Sequence, residues 1–218
     1  MRRQSPKSVS TKKQPKQLRS RQMMFDIVVA AGRVLQLEGA RHFTTVRVAE
    51  MAGVSVGSLY QYFPNKEALL FRIQADEWIR TRAALEAILT DARFPPLTRL
   101  RRAIRAFFRS ERDEADYRIA LDDAGVLIRD VPEARAHQEA ALQLMRDFLD
   151  VAIPSVPTRQ RTFTAALVGA SLESLGEQIS RHHLSDVALD RWARAAADMH
   201  CGYLARLERL AAKHRAAR

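Results

Sequence analysis

Apolar residues recur every three or four positions through nearly every segment of the chain. Nowhere do they sustain the every-other-residue alternation of a half-buried strand, and no Asn-Gly or Asp-Gly pair marks a hairpin. Pro64, Pro95, Pro96, Pro132, Pro154 and Pro157 fall between the periodic segments, where a missing N–H does least harm. The pattern predicts helices over 20–38, 45–52, 55–62, 65–90, 97–114, 116–129, 132–152, 157–183 and 185–213, an all-α fold of about nine helices. In the first of these, Met24, Ile27, Val28, Ala31, Val34 and Leu35 share one stripe, and Gly39 is a natural stop. The next two are only about eight residues long and too short to stand alone, so they must pack on the first helix and on the start of the fourth. That gives a compact three-helix unit over about 20–66, with a larger helical domain over 67–218 behind it.

The stretch TTVRVAEMAGVSVGSLYQYF, Thr44 to Phe63, has the chemistry of a helix-turn-helix. Thr44 can cap a helix whose inward face is Val48, Ala49 and Ala52. Gly53 can take the positive φ that ends it, Val54 can plug the corner, and Ser55 can cap the next helix. On that second helix Leu59 and Phe63 are four apart and share the buried face. Gly57 and Gln61 then point away, with Ser58 and Tyr60 on the flanks and Val56 and Tyr62 nearer the edges of the buried face. Serine and glutamine can hydrogen-bond base edges in a DNA major groove, valine can touch a thymine methyl, and glycine permits close approach. A tyrosine can donate to a phosphate while its ring stays packed. Asn65 caps the long helix that follows, and its first N–H groups with Lys66 form a phosphate site. The run GVSVGS is no phosphate loop: no strand precedes it and no Gly-Lys-Ser/Thr ending follows.

The connected run TTVRVAEMAGVSVGSLYQYFPNKEALL resembles the DNA-binding signature of tetracycline-repressor-like (TetR/AcrR) transcriptional regulators, with its Ala-Gly-Val-Ser turn, Leu-Tyr-x-Tyr-Phe helix and Asn-Lys-Glu-x-Leu start of the long helix. The resemblance is specific over about residues 20–72. It implies an Ω-shaped homodimer with N-terminal DNA-binding domains, a C-terminal helical ligand pocket, and repression relieved by a small molecule. By motif position, Thr44, Thr45 and Arg47 fall at the first DNA-facing helix. Ser55, Val56, Gly57, Ser58, Tyr60, Gln61 and Tyr62 fall on the recognition helix, and Lys66 on a phosphate. Two recognition helices on a pseudo-palindromic double-stranded operator would lie about 34–36 Å apart.

Charge adds one element that the motif does not contain. The formal net charge is +11, and residues 1–24 carry eight basic residues and no acidic one, leaving +3 for the rest. Residues 1–19 hold almost no apolar side chain, so they are expected to form a disordered basic arm that attracts a polyanion. The arm is longer and more basic than the resemblance requires, and it reads as a minor-groove or backbone contact. No apolar run approaches the roughly 20 residues that span a bilayer, and no signal peptide follows the basic N-terminus. A lone cysteine, Cys201, excludes an internal disulfide. A cytoplasmic protein with no membrane partner is expected.

The C-terminal segments are less specific. In 157–183, Ala165, Ala166, Gly169, Ala170, Leu172 and Gly176 suit close helix approach, and in 185–213 Leu189, Trp192, Ala196, Met199, Tyr203, Leu207 and Leu210 recur at helical spacing. The candidate dimer surface is Ala166, Gly169, Ala170, Trp192, Ala196, Met199 and Tyr203, though an intramolecular core needs the same pattern. Candidate walls of an effector pocket are Trp78, Phe107, Phe108, Tyr117, Leu121, Met145, Phe148 and Phe163, which favour an apolar or aromatic ligand. Asp123 (or Asp122), His137 and His182 (or His183) are the weak candidates for a metal site; solvated faces or helix ends are the plainer account. No cofactor is expected, and no enzyme, because nucleophile-elbow, dinucleotide and zinc-protease motifs are absent from the sequence. The reading is a sequence-specific homodimeric regulator, most simply a repressor released by a small molecule. The alternative is an effector-independent or architectural DNA-binding dimer.

Overall fold

The computed structural model describes residues 18–125, 132–182 and 184–217. Among these the chain forms nine helices and no strand: α1 (Leu18–His42), α2 (Thr45–Ala52), α3 (Val56–Tyr62), α4 (Lys66–Leu89), α5 (Pro96–Asp113), α6 (Ala115–Gly125), α7 (Pro132–Ala152), α8 (Thr158–His182) and α9 (Asp186–Ala216). The all-α expectation holds, and Pro96 and Pro132 stand at helix starts, where a missing N–H leaves no hydrogen bond unmade. Gly39 breaks the regular helix as expected, with φ 74° and ψ 171°, but a last turn follows it to His42. Of the arm expected over residues 1–19, Leu18 and Arg19 belong to α1 and the rest lies outside the described residues, as does the end of the helix expected over 116–129.

The chain packs as two compact units. The first takes the described residues up to Trp78 together with those from Asp116 to His137; the second takes Ile79–Ala115 and the described residues from Gln138 onward. Packing therefore divides the chain differently from the motif, since the unit holding residues 20–66 also takes the start of α4, α6 and the first turns of α7.

In the first unit, Ile27, Val34 and Leu35 of α1, Val48 and Ala49 of α2, Leu59 and Phe63 of α3, and Leu69, Leu70 and Ile73 of α4 form one core, joined by Ala120 and Leu121 of α6. Each large apolar side chain so buried contributes about 1.5–3 kcal/mol, which is what holds helices as short as α2 and α3. Gly32 of α1 faces the Tyr117 ring at a distance where an added Cβ would make ordinary contact, 3.8 Å. Arg118 of α6 forms an almost wholly buried ion pair with Glu77 of α4.

The second unit buries Leu100, Ile104 and Phe108 of α5, Phe148 and Leu149 of α7, Ala165 and Ile179 of α8, and Leu189, Ala193, Ala197, Cys201 and Leu204 of α9. Arg101, Arg105 and Arg112 of α5 reach Asp198, Asp190 and Asp186 of α9, so the two helices run antiparallel. These bridges are exposed and worth about 0–1 kcal/mol each; their order fixes register more than stability. α5 and α8 cross closely at Gly176, where an added Cβ would lie 2.9 Å from the Phe107 ring and 3.1 Å from Glu111 Cγ. Beside that crossing the Ser180 hydroxyl bonds the buried Glu111, its Oγ 2.8 Å from Oε2 and 3.0 Å from the carbonyl oxygen. Among the described residues no helix is long and apolar enough to cross a membrane.

Two expectations concern this unit. Gly176→Ala gains helix propensity of up to about 1 kcal/mol but overpacks Phe107 and Glu111 at a cost of about 1–3 kcal/mol, so denaturant unfolding should show a net loss of about 1 kcal/mol. His200 of α9 is buried, shares a 3.3 Å hydrogen bond with the Ser171 hydroxyl of α8, and is held below its ordinary 6.5 by loss of solvation. The unfolded chain then binds the proton more readily, so stability is full above that ordinary value and falls as the pH drops below it. A His200→Gln variant should show a flatter decline of melting temperature with acidification below pH 6.5 than the native chain.

Candidate nucleic-acid interface

The helix-turn-helix is built from its caps. Thr44, in extended conformation, accepts from the Arg47 N–H at 3.1 Å and starts α2. Gly53 ends it at φ 66° and ψ 30°; its N–H bonds the Glu50 carbonyl while the Val54 N–H reaches back to Ala49, at 3.1 and 3.0 Å. This is the Schellman pair, which satisfies two orphan carbonyls and needs a left-handed residue. Ser55 caps α3 by accepting from the Ser58 N–H at 3.0 Å, and the two serine hydroxyls share a 2.9 Å hydrogen bond. Asn65 Oδ1 accepts from the Ala68 N–H at 2.8 Å and opens α4.

With Leu59 and Phe63 wholly buried, α3 turns Gly57, Tyr60 and Gln61 outward, Ser55 stands exposed before it, and Val56 and Ser58 are half-exposed. Thr44 is exposed and Thr45 half-exposed at the start of α2, and the Thr45 hydroxyl shares a 3.0 Å hydrogen bond with the Tyr60 phenol. These residues stand on one surface. Three others stand differently from the sequence expectation. Tyr62 is only 6% exposed and belongs to the core, because a seven-residue helix held on several sides leaves little rim. Arg47 has its guanidinium committed to Glu38 at 2.7 Å and to Glu50 at 3.2 Å, and those carboxylates push its pKa above the ordinary value. Lys66 donates to the Ala40 carbonyl at 3.4 Å and lies 5.7 Å from the Phe43 ring centre, so its ammonium is drawn back toward α1. One residue that the sequence reading passed over belongs on this surface: Val46, 52% exposed beside Thr45. It is off the Val48, Ala49 and Ala52 stripe, and that is the signal which marks it.

The eight pocket candidates are divided between the two units. Trp78, Tyr117 and Leu121 pack in the first unit, and Phe107, Phe108, Met145 and Phe148 in the second. Phe163 is 62% exposed and turns away from the core, because α8 is apolar on both sides and buries Ala165, Val168 and Ile179 instead. Of the dimer candidates, Ala166, Ala170, Trp192 and Met199 are exposed and Gly169 and Tyr203 half-exposed, while Ala196 is core. His137 tilts against Trp78 with ring centres 5.4 Å apart, and His182 shares a 3.3 Å hydrogen bond with Gln178; the Asp123 side chain and His183 lie outside the described residues. Among the described residues no three His, Cys, Asp or Glu cluster as metal ligands. Cys201 is buried against the Leu97 carbonyl, and burial raises its thiol pKa.

Residues 27–73 match the family of bacterial regulatory proteins described as the tetR family. Residues 95–207, more than half the chain, match the tetracyclin repressor-like C-terminal domain. The nucleoid occlusion factor SlmA of Vibrio atlanticus (strain LGP32) is 35% identical over 107 residues, covering 40% of this chain and 55% of that protein. The chain thus spans about half the length of the curated relatives it matches. Among solved structures, Bacillus subtilis FadR in complex with stearoyl-CoA superposes with a TM-score of 0.64 at 17% identity, over 82% of this chain and 97% of that one. SmeT, the repressor of the Stenotrophomonas maltophilia multidrug efflux pump SmeDEF, gives 0.62 at 22% identity, over 82% and 88%. At these identities the likeness is one of fold.

The turn that sets the two helices is open to a direct check. Nothing lies within 4 Å of a Cβ added at Gly53, so Gly53→Ala meets only the left-handed backbone penalty of about 1–2 kcal/mol. Chemical denaturation should show a loss of that size, with any lost DNA affinity no larger than the fraction unfolded accounts for.

Proposed function

The chain belongs to the tetracycline-repressor (TetR) family of bacterial regulatory proteins, DNA-binding regulators of transcription, and from that premise we propose that it is a homodimeric repressor whose hold on a pseudo-palindromic operator is released by a small molecule. The observation that carries the DNA reading is the outward face of α3, where Gly57, Tyr60 and Gln61 surround a helix anchored by Leu59 and Phe63. A glycine lets the backbone approach the bases, Gln61 can reach an adenine or another base edge, and Val46 and Val56 can meet thymine methyls. Thr44, Ser55, Ser58 and Tyr60 are suited to phosphates at the groove edges, with the Thr45 hydroxyl beside Tyr60, and the start of α4 with Lys66 to one more. The basic arm supplies attraction that does not depend on sequence.

The dimer reading is supported by apolar surface that the single chain leaves uncovered. Phe163, Ala166, Leu167 and Ala170 line the outer side of α8, and Trp192 and Met199 stand exposed on α9. Two such helix pairs meeting across a twofold axis would form a four-helix interface. The release reading draws on the likeness in fold to a repressor of an efflux pump and to a regulator holding an acyl-CoA. For this chain the effector is proposed to be apolar or aromatic, bound in the domain over 67–218. A second reading, an effector-independent DNA-binding dimer, is favoured by the eight basic residues of the first 24.

Selection of bound sequences from a random duplex library at physiological salt tests the proposal. The expected result is a palindromic motif with half-sites about one turn apart, together with a light-scattering mass of twice the 24.7 kDa of one chain. Enrichment without a motif would favour the second reading, and a monomer mass at micromolar concentration would overturn the dimer.

A further inference from the structure

Two helices of the candidate interface are tied together by a pair of hydroxyls, Thr45 at the start of α2 and Tyr60 on α3, 3.0 Å apart and fifteen residues distant in sequence. Thr45 is well placed to hold something. It follows the capping Thr44 directly, so the hydrogen bond from the Arg47 N–H fixes the backbone from which its side chain springs. Tyr60 is 42% exposed, and the bond to Thr45 limits the rotation of its hydroxyl. Two hydroxyls carry two protons. One is taken up between them, and one remains to donate outward.

We propose that Thr45 is a positioning residue for Tyr60: its hydroxyl donates to the phenol oxygen, and the phenolic O–H donates to a single phosphate of the bound duplex at the seam between α2 and α3. The direction follows from chemistry. A phenol is the more acidic hydroxyl and hence the stronger donor to an anion, and a hydrogen bond accepted at its oxygen polarises it further. The arrangement would register both helices to one backbone phosphate, a positioning contact rather than a base contact. The proposal rests on the DNA reading above, with the phosphate as the ligand.

A double-mutant cycle on a duplex recovered by the native protein tests it. Tyr60→Phe removes the terminal donor and should weaken binding about tenfold, as for a neutral donor lost from a charged acceptor. Thr45→Val keeps the shape, leaves the phenol in place but unheld, and should cost about threefold. The double variant should bind no more weakly than Tyr60→Phe alone, and Thr45→Ser should restore native affinity. Thermal midpoints should be unchanged, since both groups are at the surface. The slope of affinity against salt should also be unchanged, because neutral donors displace no counterions. Losses that simply add, or a Thr45→Val loss larger than that of Tyr60→Phe, would overturn the clasp. Native protein that recovers no duplex would sink the DNA reading itself, a failure visible before the cycle is begun.

Discussion

A helix of seven residues closes too few hydrogen bonds to offset the cost of its own nucleation. Everything displayed by α3 therefore depends on Leu59 and Phe63 being driven into the core shared by α1, α2 and α4. Those two positions are four apart and so fix the rotation of the helix about its axis. Once they are buried, Gly57, Tyr60 and Gln61 have nowhere to face but out. The proposed recognition surface is thus a consequence of burial, and its polar residues do not need to specify their own orientation. The same dependence explains the density of caps in so short a stretch. Thr44, Gly53, Ser55 and Asn65 each satisfy end groups that a short helix has in greater proportion than a long one.

Several side chains at or beside this surface are tied to protein groups before any ligand arrives. The Ser55 and Ser58 hydroxyls bond each other, Thr45 bonds Tyr60, and Arg47 is held between Glu38 at the end of α1 and Glu50 on α2. Such preorganisation lowers the ordering cost of binding. It also limits what each group can give. An arginine already flanked by two carboxylates offers a phosphate little net charge, so its present geometry is that of a brace between α1 and α2.

Much of this was legible from the sequence because it rests on local rules. Helices followed from three-to-four spacing and from prolines at their starts, and the caps followed from Thr, Ser, Asn and Gly at the right offsets. What was not legible rests on which side of a helix finds a neighbour. α8 carries apolar residues around much of its circumference, so periodicity could not say whether Phe163 or Val168 faced inward; the structure buries Val168 and exposes Phe163. Ala196 and Met199 belong to one apolar stripe of α9, yet one is core and the other surface. Tyr62 stood at the edge of a predicted face, and the neighbouring helices closed over that edge. The pocket candidates are divided between the units for a different reason. Aromatic residues mark cores wherever they occur, and the described residues form two.

Charge completes the division of labour between folded and basic segments. Between Phe25 and Lys66 there are four basic residues, Arg33, Arg41, Arg47 and Lys66, and three acidic ones, Asp26, Glu38 and Glu50. The net charge of that stretch is +1, and two of its acids clamp Arg47. The α5–α9 ladder likewise pairs arginines with aspartates in the second unit. Residues 1–24, by contrast, carry eight positive charges and no negative one. A polyanion would be drawn in chiefly by that segment, with an affinity that falls as salt rises. Discrimination between sequences would be left to short-range contacts of Val46, Gly57 and Gln61, which salt does not screen. On that proposal general attraction to DNA and choice of operator would reside in different parts of the chain, so that a change in one need not alter the other.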